Sequence, residues 1–166
     1  NESHNNGLHG FSTNASATGT FNNNLAYQNT QTGFIAFEES QMTARNNQSF
    51  ENNMHGFSAI ESAQVAFSLN DIHDNSSAGI RIANNANAEI LENNIYDNGL
   101  SGIIITDEAY ATISNNSITN NTEASIVFFL NSGGDVLDNT CSGNQWGITI
   151  EDNANPVIGN NACPVK

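Results

Sequence analysis

Apolar and polar residues alternate along this chain in short bursts, and the bursts return every 23 residues. A series of glycines marks the interval: Gly10, Gly33, Gly56, Gly79 and Gly102, with Ser125 and Gly147 in the last two places. The residue after each is Phe11, Phe34, Phe57, Ile80, Ile103, Ile126 and Ile148. Two further on stand Thr13, Ala36, Ala59, Ile82, Ile105, Phe128 and Ile150. A spacing of two places both columns on one face of a strand. Later in each repeat come Phe21, Ala44, Phe67, Ile90, Ile113, Val136 and Ile158, and then Ala26, Ser49, Ile72, Ile95, Ile118, Cys141 and Cys163. Each repeat therefore predicts three short strands separated by turns.

Two polar series keep the same register. One is Asn6, Asn29, Asn52, Asn75, Asn98, Asn121 and Asn144, and the other Asn24, Asn47, Asn70, Asn93, Asn116 and Asn139. Three strands per repeat, with like residues at like places, describe a solenoid in which every coil adds one strand to each of three parallel sheets. At roughly 4.8 Å per strand, seven coils make a rod roughly 30 Å long. A glycine followed by I-x-I, and then I-x-x-N-x-I-x-x-N, resembles the right-handed parallel β-helix repeat of pectin-lyase-like and NosD-like proteins, and does so over essentially the whole chain. The fold expected is all-β: a right-handed parallel β-helix of about seven coils, one domain over residues 1–166. The asparagines then have a place at the turns, stacked into amide ladders and supplying the left-handed conformations that corners require.

Composition narrows the partners. The net charge is −14, and Arg45, Arg81 and Lys166 are the only basic residues, so no cationic surface exists to neutralise phosphates. Nucleic acid and membrane insertion are excluded as expectations, the latter because no apolar window reaches the roughly 18 residues of a membrane span. Two cysteines amid many Asn, Ser and Thr fit an extracellular or cell-surface protein. The chain opens at Asn1 inside a coil, which suggests a processed chain or the C-terminal part of a longer one, with an uncovered end that something must cap. Cys141 and Cys163 are 22 apart because the last coil is one residue short, so they fall in one column on adjacent coils. Neighbouring strands bring Cα atoms within disulfide range, so a bridge is expected there, with two free thiols as the alternative and Pro164 ending the sheet.

Chemistry was sought on the outward positions. In the pectin-lyase-like family, the resemblance implies carboxylates, or Lys and Arg with calcium, along the sheet that follows the glycine. Those columns read Ser12, Ile35, Ser58, Arg81, Ile104, Val127 and Thr149, then Asn14, Phe37, Ile60, Ala83, Thr106, Phe129 and Glu151. They hold no carboxylate pair of the kind that hydrolyses glycosides, and a single cation. Instead, Ile35, Phe37, Ile60, Ile104, Val127 and Phe129 suggest a flat apolar interface. Glu51, Asp74 and Asp97 stack on successive coils as a candidate calcium site, the alternative being a solvated acidic stripe. Glu38, Glu61, Asp107 and Asp152 form an acidic corner that keeps rods apart and soluble. Tyr27, Phe50, His73 and Tyr96, preceded by His4, form an outward aromatic column that offers a glycan platform.

Two functions are therefore expected to compete. The first is a non-catalytic structural or adhesive module, needing no cofactor, that associates with itself or another surface protein as a fibre subunit or stalk. The second is a polysaccharide-acting lyase or epimerase, or a glycan-binding module.

Overall fold

The computed structural model describes residues 1–166 and contains strands but no helix. Three seven-stranded parallel sheets run the length of the rod, each adding strands in sequence order. The first sheet begins at Glu2–His4 and ends at Thr140–Ser142; the second runs from Phe11–Thr13 to Trp146–Ile150; the third runs from Thr18–Asn22 to Val157–Ile158. Pairing joins like positions, as Ile72↔Ile95 in the first sheet, Ile80↔Ile103 in the second and Ile90↔Ile113 in the third show. The β-helix read from the repeat is the fold.

The core is a narrow stack of the inward columns. Phe34, Phe57, Ile80, Ile103, Ile126 and Ile148 are fully buried beneath the second sheet, and Ile72, Ile95 and Ile118 beneath the first. Near the N-terminal end the rings of Phe11, Phe34 and Phe57 stack at 4.9 and 4.5 Å, and isoleucines continue the column beyond them. The repeating glycine is explained by this packing. A Cβ on Gly56 would stand 2.4 Å from Ile72 Cγ2 and 2.8 Å from the Gly79 carbonyl, so the first-sheet isoleucine fits only against bare backbone. Ser125 can replace the glycine where the facing column has changed from Ile118 to Cys141, and its hydroxyl accepts from Asn144 Nδ2 at 2.9 Å.

Both asparagine ladders form, and each ladder side chain works in two directions. The Asn75 backbone N–H and its Nδ2 both donate to Asn98 Oδ1, at 3.2 and 3.0 Å, while Nδ2 also donates to the Ser49 carbonyl at 3.0 Å. The second ladder is longer than its period suggests. Asn1 donates to Asn24 at 3.0 Å, and Asn139 donates to Asn161 at 2.9 Å across the shortened coil. One expectation is corrected. The left-handed residue at these corners is the one before the ladder asparagine, such as Asn23, Asn46 and Asp97, while the rungs themselves have negative φ. A rung needs its amide in the turn, and its predecessor absorbs the backbone reversal.

Cys141 and Cys163 are bridged, with Cα atoms 4.9 Å apart. Pro164 does not end the sheet. Its carbonyl accepts from Ile148 N–H at 2.8 Å, and Val165 forms a parallel bridge to Ile148, because proline lacks only the donor.

Candidate functional site

The outer face of the second sheet is recessed rather than flat. Ile35 is only 7% exposed, Ser58 2% and Thr149 5%, although all three point away from the core. Phe37, Ile60, Ile104, Val127 and Phe129 are half-buried. The apolar residues read as an interface thus line a recess: the strands here are mostly three residues long, so the columns on either side stand close to the floor. Apart from Trp146, at the start of the last strand, the large hydrophobic residues that are exposed, among them Leu8, Met54, Leu100 and Leu130, lie outside these strands.

On this floor the structure places a pair that outward columns alone do not reveal. His55 precedes Gly56 and flanks the recess at 8% exposure, and Arg81 lies in the strand Ile80–Ile82, paired beside Ser58 of Phe57–Ala59. Burial first, and the Arg81 guanidinium second, lower the His55 pKa to about 4, against a smaller opposing contribution from the Ala78 backbone. The imidazole is neutral at physiological pH. Its Nδ1 is buried without a hydrogen-bond partner. A neutral base near a cation can do something neither does alone: the cation holds an anionic group while the base takes a proton from it. His9 occupies the same column two coils earlier, where burial also lowers its pKa. The signal was in the sequence, in the column just before the glycine, which holds His9, Thr32, His55, Ala78 and Ser101.

Further along the same face, a cavity of about 380 Å³ is lined by Ser101, Glu123, Trp146, Thr149, Glu151 and a floor including Ile104 and Val127. Two carboxylates thus do share one cavity, although they sit at opposite ends of the strand Ala124–Phe128 and its neighbour.

The other candidates rearrange. His4, Tyr27, Phe50, His73 and Tyr96 stack at 4.7, 5.0, 5.2 and 4.7 Å with planes within 12° of parallel. Their faces cover one another, so the column offers ring edges, where a sugar platform needs open faces. Glu51, Asp74 and Asp97 occupy left-handed corners and do not converge into a group that could hold a metal ion. Glu51 instead accepts from Gln28 Nε2 at 2.8 Å, and Asp74 pairs with His73 Nδ1 at 2.7 Å. The acidic corner has a structural task as well: the Glu38 backbone N–H donates to Glu61 at 2.7 Å, Asn84 N–H to Asp107 at 3.1 Å and Leu130 N–H to Asp152 at 3.2 Å. It is a third, solvent-exposed ladder.

Comparison with known proteins agrees on the architecture. The Azotobacter vinelandii mannuronan C-5 epimerase AlgE6 A-module superposes with a TM-score of 0.74 at 22% identity, covering 96% of this chain and 55% of that one. The periplasmic alginate epimerase AlgG gives 0.79 at 13% identity, covering 95% of this chain and 44% of that one. The chain thus spans about half the length of these structures, and at such identities the likeness is one of fold. No curated protein sequence matches it. The family described as the right-handed β-helix region matches residues 1–104 and again 67–163, and the chain belongs to that family.

Proposed function

We propose that this chain is the glycan-binding β-helix of a polysaccharide-acting protein, and that it works on the uronate residues of its polymer through Arg81 and His55. The observation that carries the reading is the pair itself: a neutral, recessed imidazole beside the one cation on the outer face of the second sheet. A uronate has an acidic C–H at C-5, next to its carboxylate. Arg81 pairs with the carboxylate and stabilises the charge that develops on it, and His55 Nε2 takes the C-5 proton. The C–H electron pair passes into the carboxylate as an N–H bond forms on the imidazole. Return of a proton from water to the opposite face gives the 5-epimer, and departure of the 4-O-linked residue, its oxygen taking a proton from water, gives an unsaturated end; in both, His55 then gives up its proton to solvent. The neighbours named as alginate and mannuronan epimerases support this reading. The disulfide, together with a neighbour described as periplasmic, supports an extracytoplasmic location. For a self-associating stalk, the other function expected from the sequence, through open ends or an apolar face, no comparison adds support.

The net charge of −14 opposes a polyanion at long range, yet is largely screened beyond about 8 Å at physiological ionic strength. The test is proton NMR of oligouronates incubated with the protein in D₂O. Loss of the H-5 signal, abolished in His55→Gln and in Arg81→Gln, is the expected result. An H-5 signal that persists with the wild-type protein for every uronate tried would overturn the assignment of chemistry to this pair.

A further inference from the structure

The recessed face carries its one cation, Arg81, on the central strand Ile80–Ile82 and two carboxylates, Glu123 and Glu151, toward its C-terminal end. From Arg81 the face runs through a cavity whose floor begins at Ile104 in the neighbouring strand and whose Thr149 lies three strands further along, roughly 14 Å from Arg81 at the spacing of parallel strands. That cavity is lined by Glu123 and Glu151 and by no basic residue. Lys166 lies outside the lining, its ammonium 4.1 Å from the centre of the Trp146 ring. A second uronate bound there would bring its carboxylate up to two others, while the Lys166 ammonium is held on the Trp146 ring outside the lining.

The rest of the lining suits a different ligand. Thr149 Oγ1 is buried, in a residue 5% exposed, and has no hydrogen-bond partner; the only other such side-chain atom in the structure is His55 Nδ1. A buried hydroxyl left unpaired beside a cavity of about 380 Å³ is a group waiting for a partner from a ligand. Carboxylates accept hydrogen bonds from hydroxyls, and Glu123 already accepts one from Ser101 Oγ at 3.3 Å. The floor of Ile104 and Val127, with the Phe129 and Trp146 rings beside it, takes an apolar surface. Hydroxyls on the edge and C–H groups on the face describe an uncharged pyranose.

We infer that the cavity around Thr149, Glu123 and Glu151 is a subsite for a neutral sugar, so that the polymer on this face mixes uronate and neutral residues. This rests on the reading of the same face as a uronate site and adds the class of polymer. It also separates the chain from a protein built for a uniform polyuronate, since such a polymer would run over the acidic end.

Calorimetric titration of two hexasaccharides of equal length tests it, one all uronate and one alternating uronate with neutral hexose. The alternating ligand should bind the wild-type protein at least 10-fold more tightly. In the Glu123→Gln, Glu151→Gln double variant that preference should shrink below about 3-fold, through improved binding of the all-uronate ligand. Thr149→Val should weaken the alternating ligand several-fold and leave the all-uronate ligand unchanged. Equal binding of both ligands by the wild-type protein, with loss of both in Arg81→Gln, would overturn the neutral subsite and leave the uronate site standing. Failure of both ligands to bind would remove the two readings together.

Discussion

Replacing Asn98 with leucine keeps the side-chain volume close and removes the amide, so it isolates what one ladder rung contributes. Asn98 Oδ1 accepts from the Asn75 backbone N–H at 3.2 Å and from Asn75 Nδ2 at 3.0 Å. Its own Nδ2 donates to the Ile72 carbonyl at 3.2 Å, the Tyr96 carbonyl at 3.0 Å and Asn121 Oδ1 at 2.9 Å. An amide nitrogen has two hydrogens, so those three contacts count as two bonds. Four bonds at a net ~1 kcal/mol each give a loss of about 4 kcal/mol. Asn98 is 1% exposed, so water cannot replace the lost partners. For a chain of this size the loss corresponds to a fall in melting temperature of roughly 8 to 16 °C. Because coils touch only their neighbours, the variant should also lose amide protection first around residues 75–121. Circular dichroism melting and hydrogen exchange read both effects. Asn53, which is exposed and makes no side-chain hydrogen bond, supplies the control; Asn53→Leu should change stability by no more than about 0.5 kcal/mol. Equal melting temperatures for the two variants would refute the ladder as a source of stability.

His55 predicts an acid-sensitive stability. Its pKa falls from 6.5 to about 4 on folding, so between these values the unfolded chain binds a proton that the folded chain does not, and stability declines as pH drops through that window, by about 3 kcal/mol when complete. Chemical denaturation at pH 7 and pH 4 should show this loss in the wild-type protein and a smaller one in His55→Gln; identical losses would contradict it. Gly79→Ala should cost about 1 to 3 kcal/mol, because its Cβ would meet Ile95 Cγ2 at 2.5 Å and the Gly102 carbonyl at 2.8 Å. In an Ile95→Ala background Gly79→Ala should cost less than in the wild-type chain, as read by thermal melting of all four proteins, and an equal cost in both would argue against the contact. Reducing the Cys141–Cys163 bridge, which closes a loop of 22 residues, should cost about 3 kcal/mol, with loss of amide protection confined to the last coil.

The fold was legible because the repeat acts as its own alignment. Ile80 and Ile103 share a column with Phe34 and Phe57, and a spacing of two within each repeat could only be a strand. The disulfide followed from the same arithmetic, once the one-residue deletion was seen. The site was harder to read, for a physical reason. Column reading tells which way a residue points but not how far its neighbours rise beside it, so Ile35 was counted as exposed when it is 7% exposed. His55 escaped because it sits before the glycine, on the flank of the strand, where periodicity carries no sign of inward or outward. The aromatic column shows the same gap, since stacking covers the ring faces that a sugar needs.

The central claim is that the recessed face of the second sheet binds uronates through Arg81. Calorimetric titration of the wild-type protein and Arg81→Gln with a uronate-containing oligosaccharide tests it most directly, with circular dichroism confirming that both retain the same strand content. The account predicts saturable binding by the wild-type protein and at least 10-fold weaker binding by the variant. Equal affinity in the two proteins, or no binding of any uronate oligomer by the wild-type chain, would contradict it.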